Sequence, residues 1–224
     1  MKIKDKVKPS LPPVEPGVYM AVCVGVVDLG EQYSEIYKNY SNKVKFVWAL
    51  PGEVIEIDGK EEERQLSREF AVAKKKTSKL RTFLGSWNCK NYSDDEYLEL
   101  EMFDQIGKPC QLNVVLNETG EYANVDSAMP IPKGFPAPVS HTAFFKWDMD
   151  SWDDAAFEKL PAWVQEQIKK STQYQKEHAP DTTIAVTSPA ASAPAQNPFS
   201  GLIAQAQANT AANSPQTAQE VCPI

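Results

Sequence analysis

The chain has 224 residues, of which 42% are hydrophobic and 24% are charged, so it can fill one core of ordinary density but not two full domains. It has no run of about 18 apolar residues and no apolar stretch behind its lysine-rich start, which excludes a membrane-spanning helix and a secretory signal and predicts a cytoplasmic protein without membrane contact. The formal net charge of −7 excludes nucleic-acid binding driven by overall positive charge.

The acidic excess lies mainly toward the C-terminus. Residues 1–147 contain 19 Lys and Arg against 21 Asp and Glu, whereas residues 148–224 contain 4 against 9. From residue 179 the sequence is mostly Ala, Gln, Asn, Ser, Thr and Pro, which bury too little apolar surface to offset chain entropy. Four segments are therefore predicted: a basic extended arm at 1–16, a β-rich domain at 17–147, a helical extension packed on that domain at 148–178, and a disordered low-complexity tail at 179–224.

Three strands are predicted in the first third of the chain. Residues 17–27 are rich in β-branched side chains, which favours a long first strand. Residues 43–50 alternate between apolar side chains and others, a pattern typical of a half-buried strand. Residues 66–73 predict a third strand, and the polar residues 28–42 are predicted to form a loop.

Two helices are predicted next. Thr77 or Ser78 can cap the first helix, and Ser93 with Glu96 forms a capping box for the second, which is predicted to end before Gly107. The first helix has an apolar stripe because its large side chains recur at spacings of three and four. Aromatic residues on this stripe and on the second strand are predicted to be core: Phe46, Trp48, Phe83 and Trp87.

The remaining elements complete a fold prediction. Residues 110–116 and 121–131 predict a hairpin, and residues 153–159 and 161–170 predict a pair of short helices. Three strands, helices and a two-strand hairpin match a mainly β, α+β fold of the five-stranded OB-barrel type, with helices between strands 3 and 4, a C-terminal helix pair and a disordered tail.

The sequence contains few residues suited to catalysis. Its two histidines, His141 and His178, lie in no catalytic motif, and no phosphate-binding glycine loop is present. The four cysteines are far apart without a Cys-x-x-Cys pair, and Cys23 and Cys110 lie in apolar runs typical of core residues. We therefore predict a protein that is not an enzyme and that has no cofactor and no metal site.

One acidic stretch offers an alternative to that prediction. Residues 148–154 contain four aspartates, which could hold a hard cation, but the stretch lacks the glycine and the distal glutamate of a calcium loop. A nuclease or phosphatase would have to use Asp148, Asp150 or Asp153. A solvated loop that places negative charge at the start of the following helix is the simpler interpretation.

Two groups of side chains suggest nucleic-acid binding. Cations could follow a phosphate backbone, and exposed aromatic rings could stack on unpaired bases. The alternative for the cations is a solvated face, and the alternative for the tyrosines is a helical turn packed on the barrel. The candidate site residues are Tyr33, Tyr37, Tyr40, Lys43, Lys45, Lys74, Lys75, Lys76, Lys79 and Arg81.

Several short motifs also resemble, in order, a group of bacteriophage proteins found with replication and recombination functions. The resemblance covers about residues 15–175 and excludes the tail. The motifs are Gly17-Val18-Tyr19, Asp28-Leu29-Gly30, Lys43-Val44-Lys45-Phe46-Val47-Trp48, Lys79-Leu80-Arg81-Thr82-Phe83-Leu84, Gly107-Lys108-Pro109-Cys110, and Leu160-Pro161-Ala162-Trp163-Val164 with Ile168 and Ser171.

The resemblance implies an OB-fold protein that coats single-stranded DNA during phage replication or recombination, with little sequence preference and with replication or recombination proteins as further partners. It implies a binding surface around Lys43, Lys45 and Lys74 to Lys76. Unlike many single-strand binders, the chain lacks an acidic tip finished by an aromatic residue. The sequence leaves open whether the protein forms a homo-oligomer, and its acidic charge favours an alternative, a protein-interaction module that binds a host replication or defence protein without nucleic acid.

Overall fold

The computed structural model describes residues 12–57 and 59–178. This part of the chain is mainly β with some helices, which confirms the coarse fold class. The strands are β1 (Gly17–Ser34), β2 (Asn39–Ile57), β3 (Lys60–Ala71), β4 (Pro109–Leu116), β5 (Ala123–Met129) and β6 (Phe145–Trp147). The helices are α1 (Lys79–Trp87), α2 (Asp94–Leu98), α3 (Asp154–Lys159), α4 (Ala162–Ile168) and α5 (Thr172–His178), with a 3-10 helix at Met102–Gln105.

The strands form one open sheet in the order β3-β2-β1-β4-β5, in which these five strands are antiparallel. The short strand β6 pairs in parallel with β1. The two edge strands β3 and β5 approach each other, and the Arg68 guanidinium on β3 donates hydrogen bonds to the carbonyl oxygens of Val125 and Asp126 on β5. A side chain therefore links the two edges of the sheet.

The prediction of a loop at residues 28–42 is wrong, because most of these residues are in strands. The β1–β2 ladder continues from Gly30, opposite Lys43, to Ser34, opposite Asn39, and leaves only a tight turn. A bulge interrupts β1 near Gly30, whose φ of 65° suits glycine. This end of the hairpin extends beyond the core, so its side chains are polar and lack the apolar alternation that marked the rest of the strand.

The main core lies between the inner face of the sheet and α1. The side chains predicted to be core are buried: Phe46, Trp48, Phe83 and Trp87 are between 0% and 5% exposed, which confirms that prediction. Ser78 caps α1 by accepting a hydrogen bond from the Arg81 amide. The predicted capping box of Ser93 and Glu96 is also present. Cys23 and Cys110 are buried free thiols, as predicted.

The second predicted helix is shorter than expected. It ends at Leu98, and the residues that follow form a separate 3-10 helix before β4. Two further elements had no signal in the sequence. Strand β6 has only three residues, too few for an alternation to be visible, and α5 contains no buried residue, so it has no apolar stripe to mark it.

The C-terminal helices pack on the outer face of the sheet. A second apolar cluster joins β1 to β6, α3 and α4; it contains Val27, Leu29, Trp147, Phe157, Leu160, Val164 and Ile168. A smaller cluster, in which Phe145 packs on Val24, Val47 and Ala49, lies beside it. The outer face of β1 and much of that of β2 are therefore covered by the extension.

None of the helices in the described residues is long and apolar enough to cross a membrane. Most of the predicted basic arm, residues 1–11, and the predicted tail, residues 179–224, lie outside the described residues.

Gly25 is required for the contact between β6 and β1. A Cβ atom at this position would lie 2.4–2.7 Å from three atoms of the Phe145 ring. We predict that Gly25→Ala lowers the free energy of unfolding by about 1–3 kcal/mol, because the ring cannot move without leaving its packed site. Gly52→Ala is the control, since that Cβ would meet no atom within 4 Å. Equal free energies of unfolding for the two variants in urea titrations would contradict this account.

Candidate functional site

Three tyrosines lie on the end of the β1–β2 hairpin that extends beyond the core; we name residues 33–40 the tyrosine hairpin. Tyr33 and Tyr40 are cross-strand partners with ring centroids 5.0 Å apart, and Tyr37 lies in the turn. Their exposed fractions are 42%, 57% and 77% for Tyr33, Tyr40 and Tyr37. The tyrosines are thus not packed on the sheet by a helical turn, and their rings are available to a partner.

The densest run of lysines begins beside this hairpin. Ala71, at the end of β3, is the register partner of Lys43 on β2, and the Val72 amide donates to the Asn42 carbonyl at 2.8 Å. The chain then passes through residues 74–79, which we name the lysine segment. Its four lysines, Lys74, Lys75, Lys76 and Lys79, are exposed. The strand pairing therefore brings this segment to the same end of the sheet as the tyrosine hairpin.

Part of the charge on the lysine segment is paired. The Lys76 ammonium lies 3.5 Å from the Asp94 carboxylate at the start of α2, and both side chains are more than half exposed. An exposed pair of this kind contributes little to stability and exchanges readily with other anions. Lys76 can therefore still meet a phosphate, although with a local competitor.

Lys45 is one of the predicted binding residues, but it does not lie on an open surface. It does point to the outer face of β2, but α4 covers it and leaves it only 5% exposed. Its ammonium lies 2.8 Å from Glu69 Oε1 and 2.5 Å from Gln167 Oε1. Lys43 is a more open neighbour, 3.8 Å from the other oxygen of Glu69. Lys45 therefore holds α4 to the sheet and presents no free charge to a ligand.

Arg81 also has a structural role in this arrangement. The side chain is 7% exposed, donates to Asp94 Oδ1 at 2.7 Å and to the Tyr92 carbonyl at 2.5 Å, and lies over the Tyr97 ring. These contacts tie α1 to α2 and the loop between them. Of the ten candidate residues, Lys45 and Arg81 are thus the two that the structure places away from an open surface.

An acidic cleft of about 310 Å³ lies at the base of the tyrosine hairpin, where Gly30 and Asn42 contribute to its lining. Asp28, Asp148 and Asp150 also line it. Burial raises the pKa of Asp28, and the two other aspartates raise it further, while the Gly30 amide opposes the shift. Because this cleft repels phosphate, it limits the directions in which a nucleic-acid backbone could leave the hairpin.

The aspartates of residues 148–154 have local structural roles. Asp153 caps α3 by accepting from the Ala155 amide, Asp148 accepts from the Asp150 amide, and Asp154 accepts from the Trp152 indole. Within the described part of the chain, no group of three or more His, Cys, Asp or Glu side chains is arranged to hold a metal ion.

Trp163 on α4 is one of the exposed aromatic residues that the sequence reasoning did not select as candidates. It is 41% exposed, whereas its neighbour Val164 and the later Ile168 are fully buried. A signal was present, because Leu160, Val164 and Ile168 follow a spacing of four residues and Trp163 lies off that stripe. An aromatic residue off the apolar stripe of an amphipathic helix is a candidate for a contact with a ligand.

Comparison of the chain with protein-family models, with curated proteins and with solved structures gives no match.

The ion pair under α4 predicts a pH dependence of stability. Burial alone would raise the pKa of Glu69, but hydrogen bonding and charge from Lys45, together with Lys43 and Gln167, leave it lower than its ordinary value of 4.5. A carboxyl whose pKa is lowered by folding stabilises the native state above its unfolded pKa, and this contribution is lost as the pH falls through the native pKa.

We therefore predict that Glu69→Gln lowers the free energy of unfolding by about 1–3 kcal/mol at pH 7, because the buried ammonium of Lys45 loses its charged partner. The difference from the unmodified protein should shrink as the pH falls below 4.5. Glu118→Gln, at an exposed position in the β4–β5 turn, is the control. A difference that stays constant between pH 7 and pH 3 in urea titrations would disprove this assignment.

Proposed function

We propose that this protein binds single-stranded DNA without catalysis and with little sequence preference. The observation that carries the proposal is the strand pairing that brings three exposed tyrosines and a run of exposed lysines to one end of the sheet. Unpaired bases need aromatic faces, and the backbone that joins them needs cations. The tyrosine hairpin and the lysine segment supply these two kinds of group side by side.

The arrangement of the tyrosines supports stacking on bases. Tyr33 and Tyr40 contact each other at an interplanar angle of 52°, so each ring restricts its neighbour while part of its surface stays open. Ordered rings lose less entropy when a ligand binds. Stacking of a base on an aromatic ring contributes about 1–3 kcal/mol and is indifferent to the identity of the base.

The charge distribution supports binding at this end of the sheet. Lys74, Lys75 and Lys79 are exposed, whereas the base of the hairpin is flanked by the acidic cleft. A protein of net charge −7 that binds DNA in this way needs local cations. Its affinity for DNA should fall as the salt concentration rises, because cation–phosphate contacts release counterions.

We further propose that the sheet is an OB-type barrel. In its favour, β1 pairs with both β2 and β4, α1 and α2 lie between β3 and β4, and Arg68 links β3 to β5. OB barrels are partly open Greek-key barrels that bind oligonucleotides through strands 2 and 3 and the nearby loops. The resemblance to phage proteins leads us to propose a role in replication or recombination, in the cytoplasm of a host cell.

A protein-interaction module is the second candidate. The hairpin tip carries Ile36, which is 85% exposed, next to Tyr37, and an aliphatic side chain at a tip suits a protein partner as well as a base. Pull-down from a host lysate after nuclease treatment separates the two functions. A partner bridged by DNA is lost under this treatment, whereas a direct partner is retained.

The tyrosine hairpin gives a direct prediction. Tyr37→Ala and Tyr40→Ala should each weaken binding of a labelled oligonucleotide by about 1–3 kcal/mol in fluorescence-anisotropy titrations. Tyr122→Ala is a matched control, since Tyr122 is 67% exposed but follows the β4–β5 turn at the other end of the sheet. Equal effects at all three positions would refute a role specific to the hairpin.

The lysine segment gives a second prediction. Replacing both Lys74 and Lys75 by Met should lower affinity and reduce the slope of log K against log salt by about 0.7 for each lost phosphate contact. Lys60→Met is the control, because Lys60 is exposed at the opposite tip, where β2 turns into β3. An unchanged slope in the double variant would show that these lysines do not meet phosphates.

A further inference from the structure

We infer that Trp163 of α4 is a second stacking site for the same single strand, which extends the binding surface from the end of the sheet onto the helix that covers the outer face of β2. The inference rests on the proposed function and adds a residue from the C-terminal extension to it. The extension would then take part in binding as well as cover the sheet.

Packing leaves a large part of the Trp163 side chain uncovered. The helix α4 contacts the sheet through Val164 and Ile168, which are both fully buried. Trp163 keeps 41% of its surface exposed, whereas Trp48 and Trp87 are at most 2% exposed. An indole is a large stacking surface, and here a substantial part of it faces solvent.

The ring is nevertheless held in place. The Lys45 ammonium lies 4.8 Å from the centroid of the Trp163 ring, and Lys45 is itself fixed by Glu69. Gln167, one helical turn after Trp163, donates to Glu69 Oε1 at 2.8 Å and accepts from Lys45. A ring fixed before the ligand arrives has little conformational freedom left to lose.

A series of contacts and a strand pairing lead from Trp163 towards the lysine segment. Lys45 shares the carboxylate of Glu69 with Lys43, whose ammonium lies 3.8 Å from Glu69 Oε2. Lys43 is opposite Ala71 in the β2–β3 ladder, and Ala71 precedes Lys74 by three residues. A backbone that contacts the lysine segment therefore meets the partly exposed Lys43 next and Trp163 after it.

A groove with a polar lining lies next to Lys45, the residue that contacts the Trp163 ring. It has a volume of about 420 Å³, lies between β3 and β5, and includes Lys45 in its lining. Arg68 and the enclosed ion pair of Lys45 with Glu69 line it. Asp126 adds a carboxylate, and Ser67 and Asn124 add neutral polar groups. Balanced charge with donors and acceptors suits the edges of a nucleobase better than it suits a strongly acidic peptide.

The test uses the full chain with Trp163→Leu, which keeps an apolar side chain on α4 but removes the ring. We expect it to bind a labelled oligonucleotide between about 5-fold and about 160-fold more weakly, the range that loss of one stacked base predicts. Leu98→Ala, at a 57% exposed position on α2, is the control and should leave affinity unchanged. Thermal unfolding of each variant checks that α4 remains packed.

A second measurement does not depend on affinity. Photo-crosslinking with an oligonucleotide that contains iodouracil, followed by peptide mass spectrometry, should identify Trp163 as an attachment site. Normal affinity of Trp163→Leu together with no crosslink at Trp163, while the hairpin variants still bind weakly, would overturn this inference and leave the proposed function standing. Absence of binding by the unmodified protein would overturn both.

Discussion

The backbone ladder between β1 and β2 is the interaction on which the rest of this structure depends. Its inner side chains, including Phe46 and Trp48, form the main core with α1, and its outer side chains receive the C-terminal helices. The same ladder continues beyond both layers and supports the tyrosine hairpin. The pairing of these two strands, with its bulges, therefore determines where the core lies and where the exposed rings lie.

This architecture determines which charged side chains are paired and which remain exposed. Where helices cover the sheet, cations are paired and enclosed, as Lys45 is with Glu69 and Arg81 is with Asp94. Where the sheet ends, lysines remain exposed beside aromatic rings. Removing one partner of a covered pair would leave an uncompensated charge away from water and destabilise the fold. The lysines that can still attract an anion lie at the end of the sheet.

The sequence was sufficient to predict the parts of the fold in which apolar side chains recur at a regular spacing. The alternation of β2 and the apolar stripe of α1 predicted the core correctly. The capping box of Ser93 and Glu96 was also predicted correctly, and the cap of α1 is Ser78, one of the two candidates. It was insufficient where two strands continue to pair although their side chains are not buried. The hairpin beyond Asp28 is strand because the neighbouring strand supplies hydrogen bonds, and such long-range pairing leaves no apolar pattern in the sequence.

The same limit applies to the candidate site. Residue type and spacing identified the tyrosines and the lysine segment, which the structure brings to one end of the sheet. They could not reveal that Lys45 lies under α4, since its partner Gln167 is 122 residues away in the chain. Nor could they reveal Trp163 as a neighbour of Lys45, because that contact exists only once the extension has packed on the sheet.

The central claim is that local cations and rings at one end of the sheet overcome the repulsion between DNA and an acidic protein. The most direct test is fluorescence anisotropy with a labelled single-stranded oligonucleotide and the same sequence as a duplex, at low and at moderate salt. The account predicts saturable binding of the single strand at low salt, weaker binding at moderate salt, and a clear preference over the duplex. Absence of single-strand binding at low salt, or equal affinity for the duplex, would contradict it.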